Sequence, residues 1–271
     1  MELKATRFEV DAGVATVWLN RPERNNAWTG RMHTEYRWIL DRLEADASVR
    51  CVVVTGTGRS FCVGGDSDAL AGHVERGGYD PGVPVEAARP GYGTRPETDA
   101  DLAWHWGLRL PVIAAVNGGC AGVGLALACF CDLRFAAAHA RLSTAAPKLG
   151  LPAEYGLSWV LPRLVGVTHA ADLLLSGRVF TAEEGAAMGL FNAVVPAEST
   201  LEHALSYARR LAVEVSPASV AATKRQLYDD LVRGDVGASV RDGLVLLDRM
   251  MAEPDYREGV AALREKRPPR F

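Results

Sequence analysis

Val112-Ile113-Ala114-Ala115-Val116 leads through Asn117-Gly118-Gly119-Cys120-Ala121-Gly122-Val123-Gly124 into the apolar run Leu125–Phe130. An unbroken stretch of branched and small apolar residues reads as a strand buried on both faces. The glycine cluster after it is a turn, and the run that follows suits a helix. The same order stands earlier in the chain. Cys51-Val52-Val53-Val54-Thr55-Gly56 is strand-like, and Phe61-Cys62-Val63-Gly64-Gly65-Asp66 follows as a second glycine-bearing turn. A turn that ends at a helix N-terminus presents backbone N–H groups with no intrahelical partner. Two such turns facing each other can hold one negatively charged oxygen between two amides.

The flanking sequence extends the pattern. Thr6–Leu19 alternates across Asp11-Ala12-Gly13, which predicts a β-hairpin. Arg31–Ala45 has helical periodicity, with Met32, Tyr36, Ile39, Leu40 and Leu43 on one side. Asp132–Ala137 and Asn192–Val195 read as further strands. The whole is an α/β pattern of repeated ββα-like units. From about Glu198 the pattern is helical only, with starts near Glu198, Pro217, Asp235 and Pro254. A division near Pro196 therefore separates a core, residues 1–196, from a helical C-terminal subdomain, residues 197–271. Gly72–Arg95, rich in glycine and proline, is too long for an ordinary connection. It reads as a flap over a pocket or as a tolerated surface insertion, and its place just after the first glycine turn favours the flap.

Composition narrows the function. A chain of 271 residues with 48% hydrophobic content can bury a large core. A formal net charge of −3 argues against a general nucleic-acid or membrane-surface binder. The five cysteines Cys51, Cys62, Cys120, Cys129 and Cys131 are odd in number and sit in apolar or glycine-rich contexts, which suits reduced thiols in a cytoplasm. The opening residues, Met1-Glu2-Leu3-Lys4, carry no apolar run of signal-peptide type. The longest apolar stretch, Val112–Ala128, is interrupted by Asn117 and the glycines around it, so no membrane span is expected. His33, His73, His105, His139, His169 and His203 show no metal-ligand spacing. Gly118–Gly124 is not a dinucleotide fingerprint, Gly56-Thr57-Gly58-Arg59-Ser60 lacks the lysine of a P-loop, and Gly156-Leu157-Ser158-Trp159-Val160 lacks the closing glycine of a nucleophile elbow. No metal and no separate cofactor are expected.

Several motifs, in order, carry a family resemblance. They are Leu19-Asn20-Arg21-Pro22 with Asn26-Ala27, the Phe61–Asp66 turn, and Ala115-Val116-Asn117-Gly118 with Cys131-Asp132-Leu133. Gly150-Leu151 with Leu161-Pro162-Arg163-Leu164-Val165-Gly166 follows, and Glu265-Lys266-Arg267 with Pro269 and Phe271 closes the chain. The chain resembles the crotonase (enoyl-CoA hydratase/isomerase) superfamily nearly end to end. The resemblance implies a spiral of ββα units, an acyl-CoA thioester substrate, and a C-terminal subdomain that builds trimers, often paired into hexamers.

It also implies where chemistry happens. The oxyanion amides fall on Gly65 and Val123, with Gly64 and Gly122 in the same turns and Ala27, Cys62, Asp66 and Asp68 nearby. Asp66 reads as a loop brace, and Cys62, with no histidine close in sequence, as a packing residue. Arg24 and, from a neighbouring subunit, Lys266 are the expected contacts to coenzyme A. Where the hydratases carry two glutamates, this chain has Ala126 and Ala146. Neither alanine can move a proton, so efficient water addition is not expected. Glu154, in Gly150-Leu151-Pro152-Ala153-Glu154-Tyr155-Gly156, stands where some isomerases of the superfamily keep their single glutamate. Isomerisation of 3-enoyl-CoA to 2-enoyl-CoA through Glu154 is the expected reaction. A hydratase or hydrolase with unusual water activation, and a catalytically silent acyl-CoA binder, are the alternatives.

Overall fold

The computed structural model describes residues 1–76 and 93–271. Residues 77–92, most of the segment read above as flap or insertion, lie outside the described residues. The fold is α/β, with two sheets. The larger runs in the order β1 (Thr6–Asp11), β2 (Val14–Leu19), β3 (Cys51–Gly56), β5 (Val112–Val116), β7 (Leu133–Ala137), β10 (Ala193–Val195). Only β1 and β2 pair antiparallel there, Thr6 opposite Leu19; the remaining pairs are parallel. The smaller sheet runs β4 (Ser60–Cys62), β6 (Gly119–Ala121), β8 (Arg141–Ser143), β9 (Phe180–Thr181).

β3, β5 and β7 are each followed by a short strand in the other sheet, which produces the spiral of ββα units. Strand period two explains the unbroken apolar runs. In β3, Val52 and Val54 enter the main core, while Cys51 and Val53 face a second cluster. In β5, Val112, Ala114 and Val116 enter the main core, while Ile113 and Ala115 face the second. Ala204 and Ala208 of the helix Thr200–Glu214 cover that second face. This helix lies C-terminal of the division expected near Pro196, yet it packs on the large sheet.

The helices follow their caps. We label them α1 (Gly30–Ala45), α2 (Ser67–Arg76), α3 (Val123–Phe130), α4 (Leu157–Ser176), α5 (Ala182–Ala187), α6 (Thr200–Glu214), α7 (Pro217–Asp230), α8 (Val236–Met251) and α9 (Pro254–Glu265). Thr29 caps α1 by accepting the Met32 N–H, and Ser216 and Asp235 cap α7 and α8 in the same way. Proline occupies the first position of α7 and α9, where no N–H is needed.

Two local readings of the sequence change. The glycine turns do not follow the long strands directly, because β4 and β6 intervene, each three residues long. The helix expected over Leu157–Val165 continues to Ser176, across a break at Gly166 with φ 78° and ψ 157°.

A buried ion pair fastens α7 to the core. Lys224 Nζ donates to Asp132 Oδ2 at 2.7 Å and to the Leu110 carbonyl at 2.7 Å, and Tyr228 donates its hydroxyl to Asp132 Oδ1 at 2.8 Å. Among the described residues no helix is long and apolar enough to cross a membrane.

The junction of β4 with α3 is a tight contact beside the glycine turns. A Cβ built on Gly124 stands 2.8 Å from Cys62 Cβ and closer still to the Cys62 carbonyl oxygen. Gly124→Ala is expected to lower unfolding stability by about 1–3 kcal/mol, as overpacking does. Gly234→Ala, at an exposed site where a Cβ meets nothing, is the control, and denaturant unfolding of the two variants measures the contrast.

Candidate active site

β4 and β6 are neighbours and run parallel, with Ser60 opposite Gly119 and Cys62 opposite Cys120. Their carboxyl ends therefore lie side by side, and the two glycine turns leave from the same edge. The turns touch: a Cβ on Gly122 would stand 3.6 Å from Gly64 Cα, and one on Gly64 would stand 3.5 Å from the Ala121 carbonyl oxygen. Gly64 has φ +106° and Gly122 φ +50°, left-handed values that favour glycine.

The amides follow from this geometry. Trp28 donates its N–H to the Gly64 carbonyl at 2.8 Å and accepts the Asp66 N–H at 2.9 Å. This parallel bridge uses the peptide groups on either side of Gly65, which turns the N–H of Gly65 itself the other way. Val123 is the first residue of α3, whose first helical bond runs from the Ala126 N–H to the Gly122 carbonyl at 3.0 Å. Among the described residues, neither the Gly65 nor the Val123 N–H has a hydrogen-bond partner. Both residues line one cavity of about 160 Å³.

That cavity also brings in Glu154 and Ala146. Trp28, Val63, Leu70, Leu149, Leu151 and Tyr155 supply most of its apolar wall. Its acidic lining residues are Asp66 and Glu154, and their situations differ. Asp66 is 2% exposed, is held by Arg21 at 2.9 Å and Arg24 at 3.2 Å, and caps α2 by accepting the Asp68 N–H at 3.0 Å. Burial pushes its carboxyl up, but the Arg21 hydrogen bond and the Asp68 and Ala69 amides outweigh this and hold it below the usual range. The Glu154 carboxylate reaches solvent at the mouth and has no hydrogen-bond or ion-pair partner among the described residues. Partial burial raises its pKa above the ordinary glutamate value.

The other sequence-derived positions separate from this group. Cys62 is fully buried beneath the turn, and burial pushes its thiol up to about 12, which removes it as a nucleophile at neutral pH. Ala126 is fully buried inside α3 and does not line the cavity, whereas Ala146 does. Ala27 is buried, and its carbonyl accepts from Arg21 at 2.7 Å. Arg24 spends one guanidinium nitrogen on Asp66, Ser67 and Asp68, so the charge expected for coenzyme A is balanced locally by two carboxylates. Lys266 is exposed at the end of α9, away from the cavity of its own chain.

Some contributors are not legible as site residues in the sequence. Trp28 brackets Gly65 through its backbone, a contact no local pattern encodes. Asn26 spans the Arg21 N–H, the Thr57 carbonyl and the Ser60 carbonyl. Asn117 joins the carbonyls of Gly56 and Gly58, which fixes the turn into β4. The signal for Asn117 is the Asn-Gly step itself, while Asn26 shows in the sequence only through the family motif it forms with Ala27.

Residues 9–271 match the family described as enoyl-CoA hydratase/isomerase. The chain belongs to that family. Among its relatives, the enoyl-CoA hydratase ACTT3 of Alternaria alternata is 36% identical over 260 residues, covering 96% of this chain and 83% of the relative. The 1,2-epoxyphenylacetyl-CoA isomerase of Escherichia coli is 35% identical over 265 residues, covering 97% of this chain and 96% of the relative. Among solved structures, a probable enoyl-CoA hydratase/isomerase from Mycobacterium abscessus matches with TM-score 0.85 and 33% identity over 98% of each chain. Family membership makes the protein an acyl-CoA enzyme, and the cavity that holds Gly65, Val123 and Glu154 is its candidate active site.

The Asp66 brace has a measurable consequence. Asp66→Asn removes charge-assisted bonds to Arg21 and Arg24 and is expected to cost roughly 1.5–3 kcal/mol at neutral pH. The folded pKa of Asp66 lies below its unfolded value of about 3.9, so this stability is present above that pH and is lost as pH falls through the folded value. The gap between wild type and variant in chemical denaturation is expected to shrink below about pH 4.

Proposed function

We propose that the protein shifts a carbon–carbon double bond from the 3 to the 2 position of an acyl-CoA thioester. The observation that supports this most is that Glu154 is, among the described residues, the single unpartnered carboxylate in a cavity whose other acid is neutralised by two arginines. A thioester carbonyl seated between the Gly65 and Val123 amides makes the C2 proton acidic. Glu154 takes that proton, and the electrons move into a planar dienolate whose oxygen the two amides hold. Glu154 then returns the proton at C4, which leaves the double bond at the 2 position. One base on one face suffices, because it gives back what it took. Each amide of such a hole is typically worth about 2.7–4 kcal/mol in the transition state. The raised pKa of Glu154 suits a group that must both accept and release a proton near neutral pH.

Water addition needs a second group to activate or protonate. The positions where hydratases keep glutamates hold Ala126, sealed inside α3, and Ala146 on the cavity wall. Relatives named as hydratases support hydration as the second reading, with Glu154 as the sole base. Purified protein given 3-enoyl-CoA and 2-enoyl-CoA separates the two. Double-bond migration is expected, with hydration below the ordinary enzymatic range of about 1–10³ per second.

Glu154→Gln keeps the shape and removes the proton transfer. It is expected to lower isomerase turnover by about 10²–10⁴ while acyl-CoA binding stays near wild type. In the wild type, kcat/KM is expected to fall on the acid side with an apparent pKa above that of an ordinary glutamate, because only ionised Glu154 acts as the base. A fully active Glu154→Gln would place the proton shuttle elsewhere.

Assembly into a trimer or hexamer is part of the same proposal, with Lys266 of an adjacent copy offered to coenzyme A. Helix α8 has no buried residue in the single chain, and Val240, Leu244, Val245 and Leu247 are exposed along it. A groove of about 470 Å³ lined by Leu246, Met250, Tyr256 and Val260 adjoins it. Apolar surface of this extent marks an interaction face. Sedimentation at micromolar concentration is expected to show an oligomer, and a stable monomer would refute it.

A further inference from the structure

A second cavity, of about 240 Å³, lies one residue along the chain from the candidate active site and shares no lining residue with it. Glu154 and Tyr155 line the first cavity, and the next residue, Gly156, lines the second. Helix α3 links them as well: Val123 begins it at the first cavity, and Phe130 ends it at the second. At 1.5 Å per residue that helix spans about 10 Å, within reach of an acyl chain of a few carbons carrying a terminal group.

The second cavity is built of rings. Trp106, Phe130, Trp159 and Tyr228 stand on its wall. Trp106 stacks on Tyr228 with centroids 4.3 Å apart, and it meets Phe130 at 5.0 Å and Trp159 at 5.4 Å with tilted planes. Tyr228 and Trp159 are held from outside the cavity, and Phe130 is held from its wall. Tyr228 is tied by its hydroxyl to Asp132. Trp159 carries the Arg163 guanidinium 3.6 Å from its ring centre. Phe130 lies against Gly156, where a Cβ would come within 3.1 Å of its Cζ. Arg95 pairs with Asp229 on the same wall, and the remaining charged lining residue, Glu97, is exposed to solvent. Fixed aromatic walls around open space favour another ring, which offers offset and edge-to-face contacts that a flexible chain does not. A cavity of roughly 150 Å³ already admits benzene.

We infer that this cavity receives an aryl group at the far end of the acyl chain, so that the substrate class is an aryl-terminated acyl-CoA thioester. The inference rests on the acyl-CoA reading of the first cavity. It is tested by equilibrium binding of butanoyl-CoA, octanoyl-CoA and phenylbutanoyl-CoA to the full-length protein. Phenylbutanoyl-CoA is expected to bind on the order of tenfold more tightly than either linear thioester. Ala103→Leu, which fills the second cavity from a partly buried wall position, is expected to abolish that preference and leave butanoyl-CoA binding unchanged. Val232→Trp fills it from an exposed position and serves the same purpose if Ala103→Leu fails to fold. Equal affinity for phenylbutanoyl-CoA and octanoyl-CoA, or a preference that survives the filling variants, would overturn the aryl assignment while leaving the acyl-CoA site standing. Failure of butanoyl-CoA itself to bind would overturn the acyl-CoA reading, and the aryl assignment with it.

Discussion

Two three-residue strands, Ser60–Cys62 and Gly119–Ala121, pair in parallel, and the placement of both glycine turns in the candidate active site follows from that pairing. It sets the carboxyl ends of the strands side by side, so the turns leaving them meet backbone to backbone. The positive φ of Gly64 and Gly122 disfavours side chains where the turns meet, and the contact of Gly124 with Cys62 seats α3 directly against β4. The unpaired amides of Gly65 and Val123 are consequences of this arrangement. One is turned outward by its bridge to Trp28, and the other is an orphan of the first helical turn. Donors fixed in this way need no reorganisation when an oxygen arrives, which is the condition under which backbone amides contribute most to catalysis.

Rigidity around the turns comes from side chains tied to neighbouring backbone and to one another. Asp66 binds Arg21, Arg24 and the first amides of α2, so the turn is clamped on its outer side. Asn26 and Asn117 hold the loops that deliver the chain into β4. Farther away, Lys224 and Tyr228 both converge on Asp132 at the start of β7. A buried pair of this kind adds little net stability, but removing one partner leaves an uncompensated charge. It therefore fixes where α7 sits, and with it the aromatic wall that Tyr228 shares with Trp106.

The large sheet and the caps were legible because their signals are local. The runs Cys51–Thr55 and Val112–Val116 are apolar at every position since both faces are covered, and Pro217, Asp235 and Pro254 announce helix starts by their own chemistry. The paired turns were legible because glycine is nearly obligatory where backbones touch. The short strands were not, since Gly119-Cys120-Ala121 has neither alternation nor β-propensity and is a strand only because β4 and β8 flank it. Arg24 shows the limit of reading charge from sequence: its partners Asp66 and Asp68 are distant in the chain and meet it only in the fold. The ring-lined cavity lies beyond the same limit, for Trp106, Phe130, Trp159 and Tyr228 come from four separate segments.

The charge balance of the site bears on the proposed chemistry. Asp66 is neutralised by arginines, so among the described residues the cavity presents one unpaired negative group, Glu154, against two unpaired amides. Proton abstraction does not change the total charge. Glu154 becomes neutral as the thioester oxygen becomes anionic, and the negative charge moves from a position without donors to one with two. Partial burial penalises the ionised carboxylate before the step, and the amides stabilise the anion after it. Both effects lower the cost of the same transfer, and the second reverses when the proton returns. A site arranged in this way favours shuttling one proton over holding a water between two carboxylates, which is the physical reason for proposing isomerisation ahead of hydration.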